Sequence, residues 1–176
     1  MKRHIAIFMA AFAVSVLGAA DFRIDISGIN GTTLAPVSAS NGVSLQQAGW
    51  LGRKKDQTLS CTVNVGKEWK EYSFSFMPKK SGQYNFSLMS STPKFFAFCD
   101  NISVTGTALQ NGDFETLNTN GEPANWYKLK NPAFSTTDGI DGSKCVSTAH
   151  NDRWTQRISC KKGEVVTVTF SARSAK

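Results

Sequence analysis

Apolar residues recur at every second position through most of this chain, and clusters of Gly, Pro, Asn and Ser interrupt them. Tyr72, Phe74 and Phe76 share one face of a segment whose other face carries Ser73 and Ser75. Tyr84, Phe86 and Leu88 repeat the arrangement after Lys79-Lys80-Ser81-Gly82, so the pattern predicts a hairpin over residues 70–89. Further strands are predicted over 22–29, 43–48, 58–65, 94–105, 144–149, 154–160 and 164–172, and no useful stretch of helical period follows the first twenty residues. Short strands with one apolar and one polar face, separated by turn chemistry, predict an all-β antiparallel β-sandwich or jelly roll.

Met1 to Ala20 breaks this rhythm and reads as a secretory signal peptide. Lys2 and Arg3 open it, Ile5 to Leu17 is apolar but too short to span a bilayer, and Gly18-Ala19-Ala20 supplies small residues for cleavage. The rival is an uncleaved anchor, against which the absence of a basic stop-transfer cluster argues. The leader carries two of the 20 basic groups and none of the 13 acidic ones, so its removal lowers the formal charge from +7 to +5. The 156 residues that remain of 176 are enough for one two-sheet core. A large multidomain enzyme is excluded, no membrane span is expected after signal cleavage, and the scattered Lys and Arg argue against nucleic acid as a partner. The destination expected is secreted or periplasmic.

All four cysteines follow the leader, and export takes them where disulfides persist. Four cysteines allow three full pairings. The segment from Cys145 to Cys160 reads as two strands folding back through His150-Asn151-Asp152-Arg153, and a symmetrical hairpin would set these two cysteines opposite each other, within disulfide reach. The alternative is four small buried hydrophobes that stay reduced. Zinc is disfavoured, because there is no C-x-x-C and the one histidine after the leader is His150.

Residues 106–125 are polar and turn-rich, a possible boundary, and they carry the most informative motif. Asn111-Gly112-Asp113-Phe114-Glu115 followed by Gly121-Glu122-Pro123-Ala124-Asn125-Trp126 resembles the opening of bacterial carbohydrate-binding modules with a galactose-binding-like jelly roll, of the type appended to secreted xylanases and cellulases. Asp141 to Val146, Trp154 to Ile158, and Lys162-Gly163-Glu164 leading into Val166 to Arg173 continue the likeness. The closing half of such a module is similar to earlier segments, Trp69 to Phe76, Gly82 to Phe86 and Asp100 to Val104. The order therefore departs from the family, since the closing half precedes the opening half. One architecture that follows is a single sandwich over 21–176 with permuted halves; the other is a short sandwich over 21–107 and an incomplete second module over 108–176.

The resemblance also implies a structural calcium ion, with Asp100 and Glu115 at the matching acidic positions and the Asp113 carbonyl and the turn from Asp138 to Ser143 completing its oxygen shell. Strand parity supports Asp100 separately: it falls in step with Phe96, Phe98, Ile102 and Val104, so a regular strand would turn it inward, where a carboxylate needs a partner or a cation. The competing role for Asp100 is to cap a bulge through hydrogen bonds.

Sugar recognition needs aromatic faces for pyranose rings and polar groups for hydroxyls. Trp69 and Trp126 resemble structural positions of the family. Trp50, between Gln46-Gln47 and Gly52-Arg53-Lys54-Lys55, and Trp154, with Arg153 and Gln156 as hydroxyl partners, are the expected ligand-binding residues, although a core role competes for both tryptophans. No Gly-x-Ser-x-Gly elbow and no His-Glu-x-x-His occurs, and one histidine gives a Ser-His-Asp triad no support. The function expected is a non-catalytic carbohydrate-binding module of a secreted protein, taking a poly- or oligosaccharide by stacking and loop hydrogen bonds beside other modules of a glycan-degrading system. The alternative is an exported structural or protein-interaction sandwich that binds no glycan.

Overall fold

The computed structural model describes residues 20–29, 31–47, 57–90 and 96–175; the expected leader up to residue 19 and the expected ligand residue Trp50 lie outside the described residues. Twelve strands form among those described: β1 (Ala20–Gly28), β2 (Leu34–Ala39), β3 (Val43–Gln47), β4 (Thr58–Val65), β5 (Lys70–Pro78), β6 (Gly82–Met89), β7 (Ala97–Thr105), β8 (Tyr127–Leu129), β9 (Ala133–Ser135), β10 (Cys145–Thr148), β11 (Arg153–Cys160) and β12 (Val166–Ser174). They build two sheets, a first with the order β3-β4-β1-β6-β11-β8 and a second with the order β2-β5-β12-β7-β10-β9. All strand pairs within them are antiparallel, so the molecule is an all-β sandwich as the alternating pattern predicts.

The core lies between the sheets. Phe22, Ile24 and Ile26 of β1, Phe86 and Leu88 of β6 and Trp154 and Ile158 of β11 face Phe74 and Phe76 of β5 and Val166, Val168 and Phe170 of β12. Phe170 packs against Phe22 at 5.5 Å and against Tyr72 at 5.6 Å between ring centroids, so aromatic contacts tie the middle strands of one sheet to the other. β12 sits between β5 and β7, and β11 sits between β6 and β8, so each sheet is built from strands of both chain halves.

Two expected hairpins are not hairpins. β5 joins the second sheet and β6 the first, and likewise β10 joins the second sheet and β11 the first. Each turn is an arch that carries the chain across the sandwich. The expected Cys145–Cys160 disulfide falls with the second of these: Cys145 pairs across to Ser135 of β9, Cys160 pairs to Gly82 of β6, and all four cysteines are free and buried. Burial raises the Cys160 thiol pKa to about 11 and that of Cys145 to about 12, and pushes Cys61 and Cys99 upward as well.

β8 and β9 escape the pattern because each is a three-residue edge strand, and β2 because it is an edge strand that buries only Leu34. Pro36 lies where the β2 register shifts against β5, a position that tolerates a missing N–H.

Candidate functional site

Alternation leaves the outer face of the first sheet polar. Reading across the strands, Ser60, Asp25, Ser87, Thr155 and Tyr127 lie in one row, and Thr58, Ser27, Asn85 and Arg157 in the next. The rows are tied together by side-chain bonds. Arg23 donates to both oxygens of the buried Asp25 at 2.7 and 2.9 Å and to the Ser60 hydroxyl at 3.0 Å, while Ser87 and Thr155 share a bond of 3.0 Å. A charge as buried as Asp25 needs such a bidentate partner, and the bonded rows form a polar floor across the middle of the face.

At the β11 margin this floor opens into a cleft of about 730 Å³. β8 pairs only with Arg153, Trp154 and Thr155, so beyond Thr155 the edge of β11 is taken over by the segment before residue 111. Gln156 makes that takeover specific: its amide oxygen accepts the Gln110 N–H at 2.8 Å and its NH₂ donates to the Gln110 carbonyl at 2.9 Å. Further along, the Thr107 hydroxyl donates to the Ser159 carbonyl at 2.6 Å. The cleft lies between this wall and the Arg157 side of β11, and Asn125 and Tyr127 also line it. Tyr127 is 47% exposed, and its hydroxyl donates to Asn85 Oδ1 at 3.4 Å, two strands away, so the phenol reaches over β11.

The Asn-Gly-Asp-Phe-Glu segment holds Tyr127 in position. Asn111 folds the loop onto itself: its NH₂ donates to the carbonyls of Thr116 and Ala124, both at 2.9 Å, and its Oδ1 accepts the Thr116 N–H at 3.0 Å. The Trp126 indole donates to the Asn111 carbonyl at 2.9 Å, and its ring packs on Phe114 at 5.4 Å and on Phe86 at 6.2 Å. With Trp126 plugged into the core, the next residue, Tyr127, must face outward. Gly112 passes so close to β7 that a Cβ there would stand 2.0 Å from the Ile102 carbonyl oxygen, which is why no larger residue fits.

Of the expected ligand residues within the described part, Trp154 is a core residue instead. It is 1% exposed, and its indole donates to the Ala133 carbonyl at 3.0 Å, linking β11 to β9 of the opposite sheet. No ring face remains for a sugar. Arg153 is half-buried on the outer face near Arg23 and Asp25, and burial lowers its pKa. Gln156 does line the cleft, but both ends of its amide are spent on Gln110, so it shapes the wall. Tyr127, Arg157 and Asn125, none of them among the expected ligand residues, line the cleft and are exposed, together with Ala108, Gln110 and Ser159. Their signal was parity: if Trp126 and Trp154 point inward, Tyr127, Arg153 and Arg157 point out.

The acids expected to hold calcium have other partners. β7 carries an extra residue against β12, with Ser103 opposite Thr169 but Asp100 opposite Ser171, and Asn101 adopts φ 50° at this bulge. The parity of β7 therefore changes, and Asp100 leaves the interior for the outer face, where the 138–143 turn buries it. Its carboxylate accepts the Asn101 N–H at 2.7 Å, the Ile140 N–H at 3.0 Å and the Ser143 hydroxyl at 2.9 Å. Glu115 accepts the Lys144 N–H and its ammonium, both at 2.7 Å, and these bonds hold its carboxyl below the ordinary carboxylate range. Asp113 accepts the Glu115 N–H at 3.4 Å through its side chain. A calcium shell needs six to eight oxygen ligands. N–H donors, a hydroxyl proton and an ammonium occupy these carboxylates instead, and among the described residues no three His, Cys, Asp or Glu side chains gather as a metal site.

Fold and cleft define a two-sheet antiparallel sandwich with a polar, ligand-sized cleft at the margin of one outer face. No family model, no curated protein and no solved structure matches the chain. No helix among the described residues is long and apolar enough to cross a membrane.

Proposed function

We propose that this protein is a non-catalytic carbohydrate-binding sandwich of an exported chain, related to the galactose-binding-like modules it resembles by an exchange of their two halves. The observation that carries the reading is the half-exposed Tyr127 ring in the lining of a cleft whose other lining residues, Ala108 apart, are Asn, Gln, Ser, Thr and Arg. An aromatic face beside hydroxyl and amide groups suits a pyranose, which is apolar on its faces and polar at its rim. The volume of about 730 Å³ falls in the range of small-ligand sites. The exchange of halves is supported by the interleaving of β8 to β12 with β1 to β7 in both sheets. Such a domain acts by holding a glycan, with avidity where further modules are tethered to it.

The test is affinity electrophoresis against a polysaccharide panel, with Tyr127→Ala as the variant and thermal melting as the control for folding. Retardation by at least one glycan, lost in Tyr127→Ala at unchanged melting temperature, is the expected result. Folded wild-type protein that no glycan retards would sink the reading.

A second reading, an exported interaction domain, draws on one observation. On the opposite sheet a cleft of about 350 Å³ is lined by Phe96, Phe98 and Phe134, with Phe96 46% exposed. That surface suits an apolar side chain of a protein better than a hydroxylated chain. A negative glycan panel would favour this reading.

A further inference from the structure

We infer that the ligand of the Tyr127 cleft is an acidic saccharide, whose carboxylate or sulfate is taken by Arg157. This inference rests on the carbohydrate-binding reading and specifies it. Arg157 is the one formally charged side chain lining the cleft, and it is exposed. Among the described residues no ion pair engages it. Asp25, in the neighbouring row of the same face, is held by Arg23. No carboxylate lines the cleft to compete for the guanidinium.

The chemistry of the neighbours favours one kind of anion. Arg157 stands beside Asn85 in the ladder, and Asn85 in turn accepts the Tyr127 hydroxyl, so cation, amide and aromatic ring converge on one patch of surface. A guanidinium presents two parallel N–H groups to a planar or tetrahedral oxyanion. A bare anion would use that fork and leave the Tyr127 ring and Asn125 amide without a role. A sugar that carries the anion uses all of them: ring on ring, hydroxyls on amides, and the acid group on Arg157. A neutral sugar would leave the one cation of the cleft facing water.

The experiment compares three ligands of equal length, an oligogalacturonate, a sulfated galactan oligosaccharide and a neutral galactan oligosaccharide. Each is titrated calorimetrically into the protein, as wild type, Arg157→Gln, Arg157→Lys and Tyr127→Ala. Arg157 is exposed, so its variants are expected to keep the wild-type melting temperature. The expected result is binding of an acidic ligand that weakens as salt is raised, with a loss of about tenfold or more in Arg157→Gln and a smaller loss in Arg157→Lys. The uronate and sulfate arms identify which oxyanion is taken. Equal affinity for neutral and acidic ligands, or no change in Arg157→Gln, would overturn the acidic assignment and leave carbohydrate binding standing. No heat with any ligand, together with a negative polysaccharide panel, would overturn both.

Discussion

Asp100 shows how one backbone irregularity redirects a side chain and its chemistry. Strand parity alone sends it into the core, where a lone carboxylate is untenable and a cation is the natural remedy. The bulge at Asn101 turns it to the other face, and three donors from its own neighbour and from the Ile140–Ser143 turn meet it there. Through these three bonds the carboxylate pins the 138–143 turn to β7. Replacing Asp100 by Ala leaves two N–H groups and a hydroxyl unmatched in a buried place, at a cost of about 3 kcal/mol. Chemical denaturation of Asp100→Ala against wild type checks this, with a melt in excess chelator alongside. A chelator that lowers the wild-type melting temperature would show that an ion, rather than this set of donors, holds the turn. Lys144 supports the same surroundings, because its ammonium and its N–H both serve Glu115 and supply positive charge to an acid of the motif.

At the scale of elements, the recurrent feature is the arch. Of the strands adjacent in sequence, only β3 with β4 and β9 with β10 pair with each other among those described. The others cross between sheets, including both turns that looked like hairpins. An arch and a hairpin have the same local signature: two alternating segments and a polar, Gly-containing or Asn-containing reversal. What distinguishes them is where the second strand finds a partner, which is a long-range matter. The cysteines follow from this, since a pair expected across one ladder sits in two different sheets. The native protein is therefore expected to react sluggishly with a thiol reagent at mildly alkaline pH, because burial holds Cys145 and Cys160 protonated well above their ordinary range. Unfolded without reductant, it is expected to titrate four thiols. Two thiols in that titration would mean that one disulfide forms, and peptide mapping of it to Cys145 and Cys160 would overturn the arch between β10 and β11. Alkali acts in the same direction on stability: the raised values of these thiols, and of Tyr84 at about 12, stabilise the fold below their unfolded pKa values, and that contribution is lost as pH rises through the folded ones.

The whole molecule depends on interleaving. β12 separates β5 from β7, and β11 covers the edge that β6 would otherwise expose, so a chain ending at residue 107 keeps neither sheet intact. The fragment 20–107 is expected to lack a cooperative thermal transition, as is 108–175, and mixing the two is expected to restore one by circular dichroism. A sharp melt of 20–107 alone would show that the first half is a sandwich in its own right. The apolar alternation by itself determined where the longer strands run and, for most of them, which face is wet, and the motif resemblance added that Trp126 holds a structural position inside a polar stretch. Once Trp126 and Trp154 are seen to point inward, parity turns Tyr127 and Arg157 outward. Only the tertiary structure decided that these two meet at one cleft, that Trp154 does not, and that Asp100 leaves the core at a bulge. The physical reason is that a period of two encodes the face of a strand and nothing about its neighbours. Choice of sheet, edge and register is made by packing between segments far apart in the chain, and the site is built from those choices.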